Sequence, residues 1–311
     1  MIARPSISTF PGVHSSVVKR TVHRPVDDSA ALVLEAWAQG LMTGSLVIMA
    51  AVTVANMRSG VLLHKLILLE LVLATAHGTF IFAPDPVYGW YLASTAIGLI
   101  ISWSLHNVVA WIKNRPFMSR ELSLFYIGTI VLAQPYWALE IYANFAYFNN
   151  INPTVYEKIR PWETLFRDPW WIYTTCNLFW VVKKHYNFGI IELVRECPRF
   201  GLMLASMCLS IVFIIFDVLS VTGALNGVMP LGINPFWKLC FMFKCLCDTI
   251  ILDDFKTALD KLGARWMTRQ GVQGVHSLDF RSHPTFSEER PLPSSPDDLP
   301  LKPPANAVHV E

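Results

Sequence analysis

Leu202–Thr222 reads LMLASMCLSIVFIIFDVLSVT, an apolar run in which Asp217 is the only charged residue. A helix rises about 1.5 Å per residue, so roughly 20 residues cross the hydrocarbon core of a bilayer. A carboxylate at that depth is costly unless it pairs, contacts water or takes up a proton. The run therefore predicts a membrane helix that carries polar chemistry inside the protein.

The rest of the chain has the composition of a helical integral membrane protein. Of its 311 residues, 53% are hydrophobic and only 15% are charged, which is unusual for a soluble domain. Seven stretches approach spanning length, so we expect an all-α polytopic membrane helical bundle of about seven transmembrane helices. The stretches are Ala31–Ala55, Val61–Ala83, Tyr88–Ile112, Leu122–Phe148, Trp170–Val182, Leu202–Thr222 and Phe236–Leu252.

The fifth stretch, Trp170–Val182, leaves two interpretations open. Lys183, Lys184 and His185 cut it short. It is either a tilted span extended by lysines that reach the interface or a helix that lies in the interface. If it does not span, every later segment changes sides of the membrane.

Charge in the connecting segments predicts an orientation. Segments 113–120 and 183–199 are basic, whereas 83–87 and 223–235 contain no Lys or Arg. The positive-inside rule then places the basic loops and the C-terminus in the cytosol and the N-terminus in the lumen. We expect an endoplasmic reticulum membrane protein.

Three regions follow from these patterns. Residues 1–30 form an N-terminal tail without a compact apolar signal region, and residues 31–262 form the seven-span membrane domain. Residues 263–311 are rich in proline among Ser, Asp and Glu, which predicts a disordered tail.

Charged residues also occur in the other apolar runs, and we expect their side chains to point into the bundle. Lys244 and Asp248 are four residues apart in the seventh stretch, which predicts a direct pair along one helix face. In the first stretch, Ala36, Gly40 and Gly44 form a small-residue stripe that predicts close helix packing.

Several polar residues are expected to converge on the lumenal half of the bundle. Glu140 and Asn144 are one turn apart, and His77 and Asp217 fall at a similar depth in their own stretches. The simpler interpretation is that such side chains pair between helices and only fix the bundle. That alternative stays open for each residue taken singly.

Aromatic and amide side chains surround the same region. Trp103 and Asn107 share a face of the third stretch, and Tyr136 and Trp137 lie within the fourth. Aromatic rings stabilise cations by roughly 0.5–2 kcal/mol each. A pocket of such rings beside a protonated acid is suited to carbocation chemistry.

Four stretches carry a likeness to known proteins: His77-Gly78-Thr79-Phe80 through Tyr88-Gly89-Trp90-Tyr91, Ser102-Trp103-Ser104-Leu105-His106-Asn107, Gln134-Pro135-Tyr136-Trp137-Ala138-Leu139-Glu140, and Ile251-Leu252-Asp253-Asp254-Phe255-Lys256. They resemble a group of fungal multi-span proteins of secondary-metabolite pathways. Some of that group look like the membrane-bound terpene cyclases of ascofuranone-type and macrophorin-type meroterpenoid synthesis. The resemblance covers about Val61–Leu262 and brings no settled set of catalytic residues.

The resemblance implies an intramolecular lyase or isomerase that cyclises a prenylated, often epoxidised, substrate drawn from the bilayer. From the physical argument we expect Glu140 to donate the proton and Asp217 to stabilise positive charge or accept the final proton. We expect the substrate to contact six side chains: His77, Trp103, Asn107, Tyr136, Trp137 and Asn144.

Neither a metal nor another cofactor is expected. The Asp253-Asp254 pair could hold Mg²⁺ through its oxygens, but Thr257 stands where an Asp-Asp-x-x-Asp motif requires its third acid. No Gly-x-Gly-x-x-Gly is present either. The expected partners are a hydrophobic prenylated small molecule, the lipid bilayer and possible pathway enzymes, without nucleic acid.

Two other functions remain open. A seven-span receptor or small transporter would use the intramembrane acids to bind ligand or relay protons, although architecture alone is a weak argument for it. A non-catalytic membrane scaffold would need the acids only for helix pairing.

Overall fold

The computed structural model describes residues 28–185, 191, 194–195, 197–224, 234–252, 255, 257–260 and 263–264. Most of the two predicted tails, together with Asp253 and Asp254, lies outside the described residues. Within the described ranges the chain is helical and contains no strand, which confirms the all-α prediction. The α-helices are α1 (Ser29–Asn56), α2 (Leu62–Thr75), α3 (Val87–Asn114), α4 (Arg120–Phe148), α5 (Pro153–Ile159), α6 (Glu163–Arg167), α7 (Pro169–His185), α8 (Pro198–Val221) and α9 (Phe236–Ile250).

Three 3₁₀ segments extend or join these helices. Ala76–Phe82 continues α2, Arg115–Phe117 continues α3, and Arg160–Trp162 links α5 to α6. Five of the predicted stretches coincide with long helices, whereas Trp170–Val182 and Phe236–Leu252 coincide with the shorter helices α7 and α9.

Five helices of the described chain are long and apolar enough to cross a membrane by length and composition. They are Ser29–Asn56, Leu62–Phe82, Val87–Phe117, Arg120–Phe148 and Pro198–Val221. Helix α7 has 17 residues and α9 has 15, so both are shorter than the roughly 20 residues that a perpendicular span needs.

Successive long helices pack side by side, because short connections join α1 to α2, α2 to α3 and α3 to α4. Helix α9 packs against both α8 and α1. Two large hydrophobic cores result, beside a smaller buried cluster around Phe80 and Tyr88. One is built around Trp171, Phe200 and Met207, and the other around Leu46, Ile67 and Trp103, with residues of α9 in both.

The acids predicted to point inward are buried. Glu70, Glu140, Asp217 and Asp248 are each about 1% exposed, whereas Leu132 on α4 is 77% exposed. A hydrocarbon environment imposes this arrangement, with polar groups inside the bundle and apolar groups outside. An unpaired charge facing lipid costs at least about 2.5 kcal/mol near the bilayer centre.

The segment between α4 and α7 is broken into short helices by proline. Pro153 starts α5, Pro161 lies in the following 3₁₀ turn, and Pro169 starts α7. Proline lacks a backbone N–H and fixes its φ angle, so it begins helices easily but interrupts a continuing one. The breaks leave carbonyl groups at Ile159 and Arg167 that side chains of other helices satisfy.

The prediction of close packing along Ala36, Gly40 and Gly44 is wrong for the described residues. All three are exposed, and no atom lies within 4 Å of a Cβ built on either glycine. Helix α1 instead buries larger side chains, including Met42 and Leu46. The four-residue spacing places Ala36, Gly40 and Gly44 on one face of α1, but the helix buries the face that carries its bulkier apolar residues.

We predict that Gly89→Ala destabilises the protein and that Gly40→Ala does not. A Cβ at Gly89 would lie 2.2 Å from the backbone oxygen of Phe148, which is fixed at the end of α4. Relief of such overpacking typically costs about 1–3 kcal/mol. Gly40 has open space, so alanine should leave stability unchanged or raise it by up to about 1 kcal/mol. Thermal unfolding in detergent measures both variants, and equal midpoints would contradict the α3–α4 contact.

Candidate functional site

An aromatic cluster lies at the centre of the bundle. Trp103 of α3 has its ring centroid 5.6 Å from that of Trp137 on α4 and 5.8 Å from that of Trp237 on α9. Tyr136 lies edge-on to Trp137 at 5.3 Å. Three helices thus contribute rings to one cluster, and Trp103 occupies its middle.

The broken segment brings a cation to this cluster. Arg167, the last residue of α6, places its guanidinium carbon 5.2 Å from the centre of the Trp103 ring. Its backbone oxygen accepts a hydrogen bond from the Asn107 amide at 3.4 Å. Because Trp103 lies near the middle of α3, Arg167 is buried deep in the bundle.

Arg167 is the hub of an ion network. It pairs with Glu163 at 2.6 Å, with Asp168 at 2.9 Å and with Asp217 of α8. Arg160 also pairs with Glu163, and Lys244 of α9 pairs with Asp168. Three cations therefore balance three carboxylates: Arg160, Arg167 and Lys244 against Glu163, Asp168 and Asp217. Such balance is what burial of charge requires.

The predicted pair between Lys244 and Asp248 is not formed. Lys244 bonds to Asp168, while Asp248 bonds to Lys113 at 2.8 Å and to His106 at 3.1 Å. Residues four apart on a helix are close enough to pair. Here each of the two side chains pairs with residues on neighbouring elements instead of with the other residue on its own helix.

Glu140 has a different environment from Asp217. Two neutral groups lie 3.4 Å from its carboxyl oxygens, the Tyr136 hydroxyl and the Asn144 amide. Among the described residues no Lys, Arg or His nitrogen lies within 4.0 Å of it. A buried carboxyl group with neutral partners is favoured in its protonated form.

Tyr136 connects Glu140 to the broken segment. Its hydroxyl donates a 3.0 Å hydrogen bond to the Ile159 carbonyl, and its ring stacks on Phe166 at 4.1 Å and 10°. The residue after Phe166 is Arg167. One tyrosine therefore touches both the neutral carboxyl and the segment that carries the ion network.

His77 lies at the edge of this region. Its ring centroid is 6.3 Å from that of Trp237, and its Nδ1 is 3.1 Å from the Thr95 hydroxyl. Nearby, Lys238 pairs with Glu35 at 2.6 Å, joining α9 to α1. His77 reaches the aromatic cluster only through Trp237.

A second buried cluster joins α2, α3 and α9. His106 Nδ1 lies 3.0 Å from Glu70 Oε1 and 3.1 Å from Asp248 Oδ2, and Lys113 completes it at Asp248. Glu70 Oε2 and His106 Nε2 have no hydrogen-bond partner in the described chain. The Cys245 thiol contacts Glu70 Oε1 at 3.3 Å.

The second cluster could hold either a proton or a metal ion. Donor atoms of Glu70, His106 and Asp248 lie within 4.8 Å of one another, which suits a divalent cation. However, two carboxylates beside Lys113 leave a single negative charge. One proton on His106 neutralises that charge, whereas a divalent ion would overcompensate it, so the charges favour the proton.

The structure links seven of the eight predicted site residues by successive contacts, from Asp217 through Arg167 and the aromatic cluster to Tyr136, Glu140 and Asn144, and leaves His77 at the edge. Asp217 and Glu140 both border this region, although a cavity shared by the two acids stays a prediction. Sequence reasoning missed Arg167, Asp168 and Glu163, since they stand in a polar segment that looks like a loop. It also missed that Glu70, His106 and Asp248 meet, because their runs are far apart in the chain.

Comparisons with protein-family models, curated proteins and solved structures find no match to this chain. We therefore base the functional assignment on the chemistry of the two clusters. The resemblance to terpene cyclases stays a prediction.

A thermodynamic cycle tests the partner of Lys244. We predict that Lys244→Met and Asp168→Asn show a coupling energy of about 0.5–3 kcal/mol, as expected for residues in one ion network. The matched cycle of Lys244→Met with Asp248→Asn should give a clearly smaller value, because Lys113 and His106 hold Asp248. Unfolding free energies of the variants in detergent supply both numbers. A larger coupling in the second cycle would restore the pair along the helix.

Proposed function

We propose that the chain is a membrane-bound terpene cyclase that closes an epoxidised or unsaturated prenyl chain in secondary-metabolite synthesis. A single arrangement carries the proposal: contacts through aromatic rings link Glu140, which has no ion-pair partner within 4.0 Å among the described residues, to Asp217, which pairs with Arg167. Acid-initiated cyclisation needs these three elements, a neutral acid, a cation-stabilising surface and a fixed base.

Glu140 is the proton donor in this mechanism. Its proton passes to the epoxide oxygen or to the terminal alkene carbon, and the resulting electron-poor carbon is attacked by the next double bond of the chain. The Asn144 amide also donates a 2.9 Å hydrogen bond to the backbone carbonyl of Glu140. This bond holds the amide one turn along α4, where it can orient the Glu140 carboxyl group.

The aromatic rings face the developing cation. The Arg167 guanidinium already occupies one face of Trp103, and the carboxylates of Asp168 and Asp217 balance its positive charge. A cationic chain is therefore expected to stack on Trp137 and Tyr136, where each ring contributes roughly 0.5–2 kcal/mol.

Asp217 acts as the fixed negative charge. Its two oxygens are bound by Arg167 and by the Asn234 amide. In this mechanism Asp217 stabilises positive charge at the far end of the chain or accepts the proton released when the cascade ends.

We also propose a bundle of seven crossings in the endoplasmic reticulum membrane. The end of α4 contacts the start of α3 at Gly89, and α7 packs on α3 through Asn177 and Asn114 near the opposite end. Residues 153–185 therefore run from one end of α3 to the other. In this arrangement α5, α6 and α7 together make the fifth crossing, although α7 alone is too short.

A transporter or receptor is the second candidate, and the second cluster favours it. Glu70, His106, Asp248 and Lys113 link three helices and could relay a proton. Two results together would support this function over the first. The wild type would take up protons in sealed vesicles while His106→Gln would not, and the wild type would form no cyclised product.

We predict that Glu140→Gln lowers cyclisation of an epoxyprenyl phenol at least about 10²-fold, since it keeps the shape but removes the acid. The assay measures cyclised product in membranes at equal protein levels. Glu121→Gln is the matched control, because it makes the same change at an exposed position of the same helix and should retain activity.

Three other outcomes discriminate among the acids. If Glu140→Gln keeps normal turnover while Asp217→Asn abolishes it, the two roles are reversed. If only Glu70→Gln abolishes it, the proton comes from the second cluster. No product from the wild type in a host that makes the substrate would contradict the proposed function.

We predict that an Asn-x-Thr acceptor introduced into segment 223–235 is glycosylated and that one introduced into segment 186–197 is not. Seven crossings place the first segment in the lumen and the second in the cytosol. A glycan shifts the mass of the full-length protein on a denaturing gel, and an endoglycosidase removes the shift. The opposite pattern would show that residues 153–185 do not cross.

A further inference from the structure

A cleft opens on the outer surface of the bundle between α4 and the α6–α7 segment. Its volume is about 400 Å³, within the range of roughly 300–1,000 Å³ typical of small-molecule sites. Its rim is apolar and exposed, with Phe125 68% and Leu165 57% accessible. Because α4 is a candidate membrane span, this rim faces hydrocarbon rather than water.

Three of the polar side chains that line the cleft, those of Tyr126, Thr129 and Trp170, are hydrogen-bonded within the protein. The Tyr126 hydroxyl bonds to the Trp170 carbonyl and to Thr174, both at 3.2 Å. The Thr129 hydroxyl donates to the Tyr126 carbonyl at 2.8 Å and accepts from the Trp170 indole at 3.0 Å. The Tyr173 hydroxyl is the remaining polar group of a lining that is otherwise apolar, so the cleft suits a hydrocarbon chain with at most one polar contact.

The inner wall of the cleft leads to the candidate site. Phe166 lines the cleft and its ring also stacks on Tyr136, whose hydroxyl lies 3.4 Å from Glu140 Oε2. Arg167 follows Phe166 in the chain and enters the ion network. One partly exposed side chain therefore separates the lipid-facing cleft from the aromatic cluster.

We propose that this cleft is the lateral entrance for the substrate and holds its isoprenoid chain, with Phe166 moving to admit it to the aromatic cluster. The inference rests on the proposed function, because an apolar chain that reacts beside Glu140 has to pass from the bilayer to that carboxyl. The cleft makes that connection on the face where Tyr136 and Glu140 lie.

Photolabelling in lipid nanodiscs tests the entrance without requiring turnover. A farnesyl phenol with a diazirine on its prenyl chain is irradiated with the full-length protein, and adducts are mapped by mass spectrometry. We expect adducts within residues 122–133 and 165–173, suppressed by unlabelled farnesyl phenol but not by added phospholipid. Equal suppression by phospholipid would show a groove for acyl chains of the membrane and would overturn the proposal.

Two variants narrow the cleft from different sides. Leu165→Trp adds bulk at the exposed rim, and Ala133→Leu adds a smaller group at the buried floor. Each should reduce labelling at least tenfold. Val131→Trp is the matched control, since Val131 is 64% exposed on α4 and does not line the cleft. Unchanged labelling in both cleft variants would also overturn the proposal.

The cyclisation assay separates this proposal from the proposed function. Labelled cleft residues without cyclised product would contradict the cyclase and leave the isoprenoid site standing. Normal cyclisation in both cleft variants would contradict the entrance and leave the cyclase standing.

Discussion

Burial of the Arg167 guanidinium is the constraint on which the centre of the molecule depends. A buried cation needs carboxylates around it, and Asp168, Asp217 and Glu163 supply them from two elements. Removing one partner of such a pair typically costs about 3–5 kcal/mol, whereas the intact pair adds little net stability. The network therefore permits only one arrangement of these elements, in which α6 packs where Asp217 of α8 and Lys244 of α9 are both within reach.

That requirement has a chemical result for the two acids at the proposed site. Asp217 is paired with the Arg167 guanidinium, whereas the groups within hydrogen-bonding distance of the Glu140 carboxyl, at 3.4 Å, are neutral. Two carboxyl groups near one aromatic cluster thereby have different surroundings, one beside a cation and one beside neutral groups. Separation of acid and base roles by environment is how a single site performs both halves of a proton-transfer reaction near neutral pH.

The sequence was sufficient for the helices and insufficient for their partners. Apolar length predicted Leu202–Thr222 and the other long runs, because spanning hydrocarbon is a local property of each segment. Lys244 shows the limit: spacing along one helix predicted Asp248, and the actual partner is Asp168, 76 residues away. Arg167 was missed for the same reason, since its proline-broken segment lacks helical periodicity and acquires meaning only from contacts with distant helices.

The broken segment also affects how this protein is made. Residues 153–168 carry Arg160, Glu163, Arg167 and Asp168, so the segment is too polar to partition into a bilayer by itself. Lys244, which balances Asp168, is synthesised much later. In the proposed seven-crossing arrangement the fifth crossing therefore forms after α8 and α9 have entered the membrane, and until then the translocation machinery holds a segment without its counter-charges. Final topology would then be reached only after α9 has been synthesised.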